Sequence, residues 1–258
     1  MKIFLILIIL NLNSIKAYNQ DLIIKGVINY EMIFINENGI CNFDAVLYIN
    51  DDYSKFNYKS TDEAKETTEQ DSNVDSKISV IIPDTTSVSI NLHQKTEKIY
   101  TILSNDVNKS YYENIPTLPW ILTDKTKIIN NFNCNQALVS FKGRDYIAYY
   151  STDIPLSYGP YKFHGLPGLI LEITDDINEV FFRCKSLTIP ALINFKNEID
   201  FTNIIKTKEM FIKEQEIVQK QKLQQSEERL ERLAAKADRN MTIKFETKTK
   251  NIRSIELY

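Results

Sequence analysis

Few side chains in this sequence could do chemistry. Its only histidines are His93 and His164, the whole imidazole supply for a general base or metal centre. His164 is the better candidate, because it stands inside an unusual run, Ile154 to Ile173, reading IPLSYGPYKFHGLPGLILEI. One histidine without an evident partner nonetheless reads more readily as a hydrogen-bonded loop residue. Asp175-Asp176 could serve a hydrolase as paired carboxylates. Their place before Ile177-Asn178, between two alternating runs, marks them instead as turn residues. No G-x-S-x-G, H-E-x-x-H or phosphate loop is present. The residues lean away from an enzyme, a hydrolase ranks third among the readings, and no cofactor or metal is expected.

Binding chemistry is better represented. Trp120, Tyr149, Tyr158, Tyr161 and Phe163 could line an apolar groove for a hydrophobic small molecule, a lipid or a peptide. Arg144 could anchor a carboxylate there through a bidentate pair, or pair with a neighbouring acid. The structural alternative gives the same region to packing. Leu166-Pro167-Gly168-Leu169 has the chemistry of a type II turn, with Pro167 fixing φ and Gly168 accepting positive φ. Leu166, Leu169 and Leu171 would then fill the core over Trp120, and Gly165 and Gly168 would leave room for close backbone approach.

Three cysteines, Cys41, Cys134 and Cys184, contain no C-x-x-C pair. They allow three single disulfides, or three inert buried thiols. Cys134 with Cys184 is preferred, since both fall on strands of the more regular half.

The elements that must position these residues are mostly strands. Residues 1–17 form a secretory leader: Met1-Lys2, an apolar stretch from Ile3 to Leu10, and a small residue, Ala17, before the mature chain. That stretch is too short to span a bilayer, and no other segment is apolar enough. Residues 18–258 read as one β-rich domain. Net charge is −3 among 258 residues, which gives nucleic acid no reason to bind. Fourteen Tyr and 13 Phe against six Gly suit half-buried strands.

Alternation from Ile28 to Phe34, a turn at Asn36 to Gly39, and a return from Cys41 to Ile49 predict a hairpin. Short apolar runs follow at Ile78 to Ile82, Ser87 to Leu92 and Ile99 to Leu103, then Ala137 to Phe141 and Tyr146 to Tyr150. Such frequent strands without intervening helices predict an antiparallel meander. Residues 59–77, with Ala64 and Val74 as the only apolar side chains, read as a disordered acidic insertion. Residues 206–238, free of Gly and Pro, predict one long helix with a thin apolar stripe that would lie over or beside the sheet.

Gly165-Leu166-Pro167-Gly168-Leu169-Ile170 closely resembles the string that names the GLPGLI family, exported proteins of Bacteroidetes. The resemblance extends to Leu118-Pro119-Trp120, Cys134-Asn135-Gln136-Ala137, Gly143 to Ser151, Ile154-Pro155 and Gly159 to Phe163. It is dense from about 115 to 175. Gln136 stands where a basic residue is usual, Tyr149 where Trp is usual, and Ser254-Ile255-Glu256-Leu257 departs from an Asn-Pro-Ile-Glu-Leu-like ending. The resemblance implies export and a β-rich fold, and brings no catalytic residue with it.

The expectation is thus a mainly β protein, its antiparallel sheet curved into a half-open barrel or sandwich, with one long C-terminal helix. It would work in the periplasm or outer envelope. The first functional reading is a non-catalytic binding or carrier protein for an apolar ligand or peptide; the second is an envelope protein docking a partner through its helix or a sheet edge.

Overall fold

The structure is a computed structural model that describes residues 22–36, 39–62, 65–71, 74–82, 86–191, 193–195, 200–236 and 248–249. The leader, residues 1–17, lies outside the described residues. Strands β1 (Leu22–Ile24), β2 (Gly26–Asn36), β3 (Gly39–Ile49) and β4 (Tyr53–Ser60) come first. Then follow β5 (Lys65–Asp71), β6 (Val74–Ile82), β7 (Val88–His93), β8 (Lys98–Leu103) and β9 (Asp106–Asn114). The second half holds β10 (Ile121–Ile129), β11 (Phe132–Phe141), β12 (Arg144–Ser151), β13 (Leu169–Asp175), β14 (Val180–Thr188), β15 (Ile193–Phe195), helix α1 (Lys208–Lys236) and β16 (Lys248–Thr249).

Eleven strands form one antiparallel sheet in the order β10-β11-β12-β13-β14-β2-β3-β4-β7-β8-β9. Its edges, β9 and β10, are consecutive in the chain. A flat sheet of this width would hold them roughly 48 Å apart, whereas the backbone from Asn114 to Ile121 reaches at most about 25 Å. The sheet therefore curls, and the architecture is an open, half-barrel-like sheet and not a closed barrel.

Period-two patterning supplies the inner face. Ile28, Tyr30, Met32 and Phe34 on β2 meet Cys41, Phe43, Ala45 and Leu47 on β3, all buried, while their neighbours turn outward. Edge-to-face aromatic pairs, such as Phe34 with Phe43 and with Phe182, knit adjacent strands. The hairpin turns follow from residues that tolerate positive φ. Lys142-Gly143 has φ 51° and 79°, and Asn130-Asn131 has 48° and 66°, the signs a two-residue type I′ turn needs to match strand twist.

Two expectations are corrected. Residues 59–77 carry the end of β4 and much of an antiparallel hairpin, β5 with β6, which forms a separate three-stranded sheet with β16. Backbone ladder hydrogen bonds supply there what the composition lacks in apolar side chains. Helix α1, Lys208–Lys236, lies within the expected 206–238, and of the two expected placements it takes the one beside the sheet and does not cover it. Phe211 is buried against Tyr111 of β9, ring centroids 5.0 Å apart, yet from Gln219 to Arg229 every side chain is exposed. Its apolar side chains Met210, Ile217 and Leu223 are exposed, and Leu223 lies on a different side of the helix from the other two.

Candidate functional site

The cover of the inner face comes from the connection between β12 and β13, residues 152–168. It folds back through Ile154, whose carbonyl accepts from Leu169 N at 3.0 Å, and through Tyr158, whose carbonyl accepts from Ile170 N at 3.0 Å. A bridge between Tyr158 and His164 closes the loop Gly159 to Phe163. Phe163, only 1% exposed, sits at its tip among Phe141, Tyr146 and Phe182. The Tyr158 hydroxyl donates to the Asp51 carbonyl in the β3–β4 turn, so the loop spans the curled sheet from within.

Three glycines make this possible, each for a different reason. At Gly168 a Cβ would lie 2.1 Å from the Ser151 carbonyl oxygen, and at Gly159 it would strike the Ile170 side chain at 2.8 Å. Gly165 takes φ +88° beside the Trp120 indole. The positive φ expected at Gly168 is therefore found at Gly165, and Gly168 serves close approach instead. Leu166, Leu169 and Ile170 are buried to 1% exposure or less, and the Ile170 carbonyl accepts from Tyr30 Oη at 2.6 Å.

The candidate binding residues divide among three places. Trp120, Tyr161, Phe163 and His164 do come together: Trp120 Nε1 donates to the His164 carbonyl at 2.8 Å, and the Trp120 and Tyr161 rings each lie 6.4 Å from Phe163. Tyr161 holds φ +58°, strained for a non-glycine residue. Burial lowers the His164 pKa to about 4, and its Nδ1 has no hydrogen-bond partner among the described residues. Tyr149 lies elsewhere, alternating with the buried Ala148 and Tyr150, its hydroxyl taking a hydrogen bond from Gln136 Nε2 at 2.9 Å. Arg144 is engaged inside the protein. It bonds Asp175 at 2.6 Å and Glu179 at 2.8 Å, while Asp175 Oδ1 accepts from Glu179 N and Val180 N. Burial opposes the Arg144 charge, but these hydrogen bonds hold it protonated. Its guanidinium thus closes the β13–β14 turn, the pairing with neighbouring acids that the sequence also allowed.

The cysteines are free and buried, and burial pushes the Cys134 and Cys184 thiols up to about 11. The expected Cys134–Cys184 disulfide is not formed: the two thiols, on β11 and β14, are both free. Asn130 Nδ2 donates to Cys184 Sγ at 3.3 Å instead.

One polar feature escaped the sequence. Lys162, 2% exposed, pairs with Glu113 of β9, whose other oxygen lies 4.0 Å from Lys208 Nζ at the root of α1. The pair fastens the inner loop to the sheet edge and to the helix. Nothing in Tyr161-Lys162-Phe163 distinguishes such a lysine from a solvated one. Among the described residues no group of His, Cys, Asp and Glu could hold a metal ion, and no helix is long and apolar enough to cross a membrane.

A family model described as a protein of unknown function, Porph_ging, matches residues 140–172, which contain the β12 strand, the loop and its glycines. No characterised protein matches the sequence significantly. Among solved structures, PNGF-II in two crystal forms is similar at 15% and 14% identity, with TM-scores of 0.43 and 0.41. Those alignments cover 70% of this chain, which spans only 30% of PNGF-II. A putative outer membrane lipoprotein-sorting protein domain from Vibrio parahaemolyticus aligns at 7% identity and TM-score 0.23, covering 70% of this chain and 88% of the domain.

Proposed function

We propose that this chain is an exported envelope protein of GLPGLI type that acts by docking a partner, and neither by catalysis nor by carrying an apolar ligand. The observation behind this reading is that the inner face is filled by the chain's own residues 152–168, while α1 leaves the sheet with Met210, Ile217 and Leu223 exposed. Phe163 and Tyr158, expected to line a groove, are 1% and 2% exposed, so a carried ligand would have to displace the core. The imidazoles sit on different elements, His93 at the end of β7 and His164 in the β12–β13 connection. Location in the periplasm or outer envelope rests on the leader and on the resemblance of residues 115–175.

A photo-crosslinking residue at Leu223, in cells exporting the full chain, tests the docking reading. A discrete higher-mass adduct is expected there and not from the buried Ile90. No adduct from any helix position would refute the reading. Sequencing the mature N-terminus should find it just after Ala17.

A further inference from the structure

Just before α1 the chain crosses the rim of the sheet, and the crossing is held on both sides. Tyr100 and Ile102 of β8 and Tyr112 of β9 alternate with the inner-face residues Ile99, Tyr111 and Glu113, so they point outward. Phe201 and Ile204 pack on that outer side. The Lys206 carbonyl then accepts from Tyr112 N at 2.9 Å, and a parallel bridge between Thr207 and Tyr112 occupies part of the β9 edge. Past the edge, Lys208 approaches Glu113 and Phe211 packs on Tyr111. Residues 200–211 are thus a clamp around β9, and the helix grows out of it.

Under the outer jaw lies His93, at the end of β7. Its ring has three aromatic neighbours, Tyr53 and Phe201 with centroids at 4.6 Å and Tyr100 at 5.5 Å. All three stand edge to face with it, the geometry of neutral aromatic packing. Its Nε2 is buried and has no hydrogen-bond partner among the described residues. The Tyr53 hydroxyl donates to Asn91 Oδ1 at 2.5 Å. The surrounding carboxylates are committed elsewhere: Asp52 pairs with Lys95 at 2.5 Å, Asp200 caps Thr202 and Asn203, and Glu97 is exposed. Lys98, opposite His93 in the ladder, sits over the Tyr112 ring at 4.2 Å. An imidazolium here would gain a like charge as neighbour and no counter-charge.

From this cage we infer that the clamp is an acid-sensitive latch: when His93 takes up a proton, Phe201 and Ile204 lift from the outer face and α1 loses its root on β9. Burial fixes the sign. It holds the packed imidazole at about 4, below the 6.5 of a solvated one, so the released state binds the proton more tightly. Clamping is strongest above pH 6.5 and weakens as pH falls toward 4. At pH 5 the released state gains about 30-fold over its population at pH 7.5. The sheet itself stays closed, because Ile90 and Leu92 on the other face of β7 belong to the main core. The latch goes beyond the docking reading, since it sets whether α1 is anchored and not what α1 meets.

Hydrogen exchange of the purified protein, read by mass spectrometry at pH 7.5 and pH 5 and corrected for intrinsic rate, tests the latch. Peptides from 200–211 should exchange about 30-fold faster at pH 5, while those of β2 and β3 keep their protection. His93→Phe should hold the clamp closed at both pH values, with His93→Gln in its place if that variant does not fold. His164→Gln should keep the acid response. Equal exchange at the two pH values would overturn the inference, as would slower exchange in acid, the result expected if the rings bind the imidazolium. A response that survives His93→Phe and His93→Gln, or protection lost from β2 and β3 together with the clamp, would overturn it too.

Discussion

Replacing the three glycines of the inner loop by alanine separates the physical reasons each is glycine. Gly168→Ala puts a methyl carbon 2.1 Å from the Ser151 carbonyl oxygen and 2.6 Å from its carbon. Both are backbone atoms at the end of β12, and the flanking Leu166 and Leu169 are buried, so relief requires the backbone to shift by roughly 1 Å. Overpacking of that kind costs about 1–3 kcal/mol, and the rigid neighbour places this variant near 3. Gly159→Ala meets the Ile170 side chain at 2.8–3.1 Å; Cγ1 and Cδ1 can rotate away but Cβ, at 2.9 Å, moves only with the strand, so this variant should cost about 2 kcal/mol. Gly165→Ala has open space, with Trp120 Nε1 at 3.8 Å, and bears only the strain of φ +88°, about 1–2 kcal/mol. Urea unfolding followed by fluorescence suits the measurement, since the single Trp120 donates into this loop. The expected order is Gly168 worst and the other two milder. A Gly168→Ala protein within about 0.5 kcal/mol of wild type would refute the close-approach argument.

Other consequences can be checked on the same protein. Lys162→Met leaves Glu113 only its longer contact with Lys208 and should cost about 3 kcal/mol in urea, with much of it recovered when Glu113→Leu and Lys208→Met are added; equal losses in the single and triple variants would argue against the pair. Both imidazoles are buried neutral at pKa about 4, below the unfolded 6.5, so the denatured state takes up protons first. Stability should be intact above pH 6.5 and fall as pH drops toward 4, by on the order of 3 kcal/mol for both after discounting partial exposure. A His93→Gln/His164→Gln protein that keeps the full slope would contradict this. Thiol titration in denaturant without reductant should find three thiols per chain, and a count of one would restore the Cys134–Cys184 bond.

The strands were legible because an inner face repeats every second residue, as at Ile28, Tyr30, Met32 and Phe34, and because turns such as Lys142-Gly143 announce themselves chemically. The helix was legible for the same kind of reason, in its run of helix formers. What a one-dimensional pattern lacks is cross-strand register. The aromatic string Tyr158, Tyr161 and Phe163 reads alike whether it lines an empty groove or plugs one, and only the hydrogen bonds at Ile154 and Tyr158 decide between them. Arg144 and Asp175 are 31 residues apart and meet only through the pairing of β12 with β13.

The order of the sheet also constrains how it can form. β2 to β9 and β10 to β14 are two largely local meanders, and within the large sheet β14 against β2 is the ladder that joins them, Val180 to Thr188 against Val27 to Phe34. Closing a loop of that length costs roughly 4 kcal/mol of chain entropy before the ladder returns anything. β2 is among the first strands of the chain to be made, and its apolar edge must wait for a partner some 150 residues later. Folding should accordingly be slow, with β2 and β14 amides gaining exchange protection together and last. Protection of β2 well before β14 would show another partner holding that edge. Until it closes, the seam is where the chain is most exposed to aggregation.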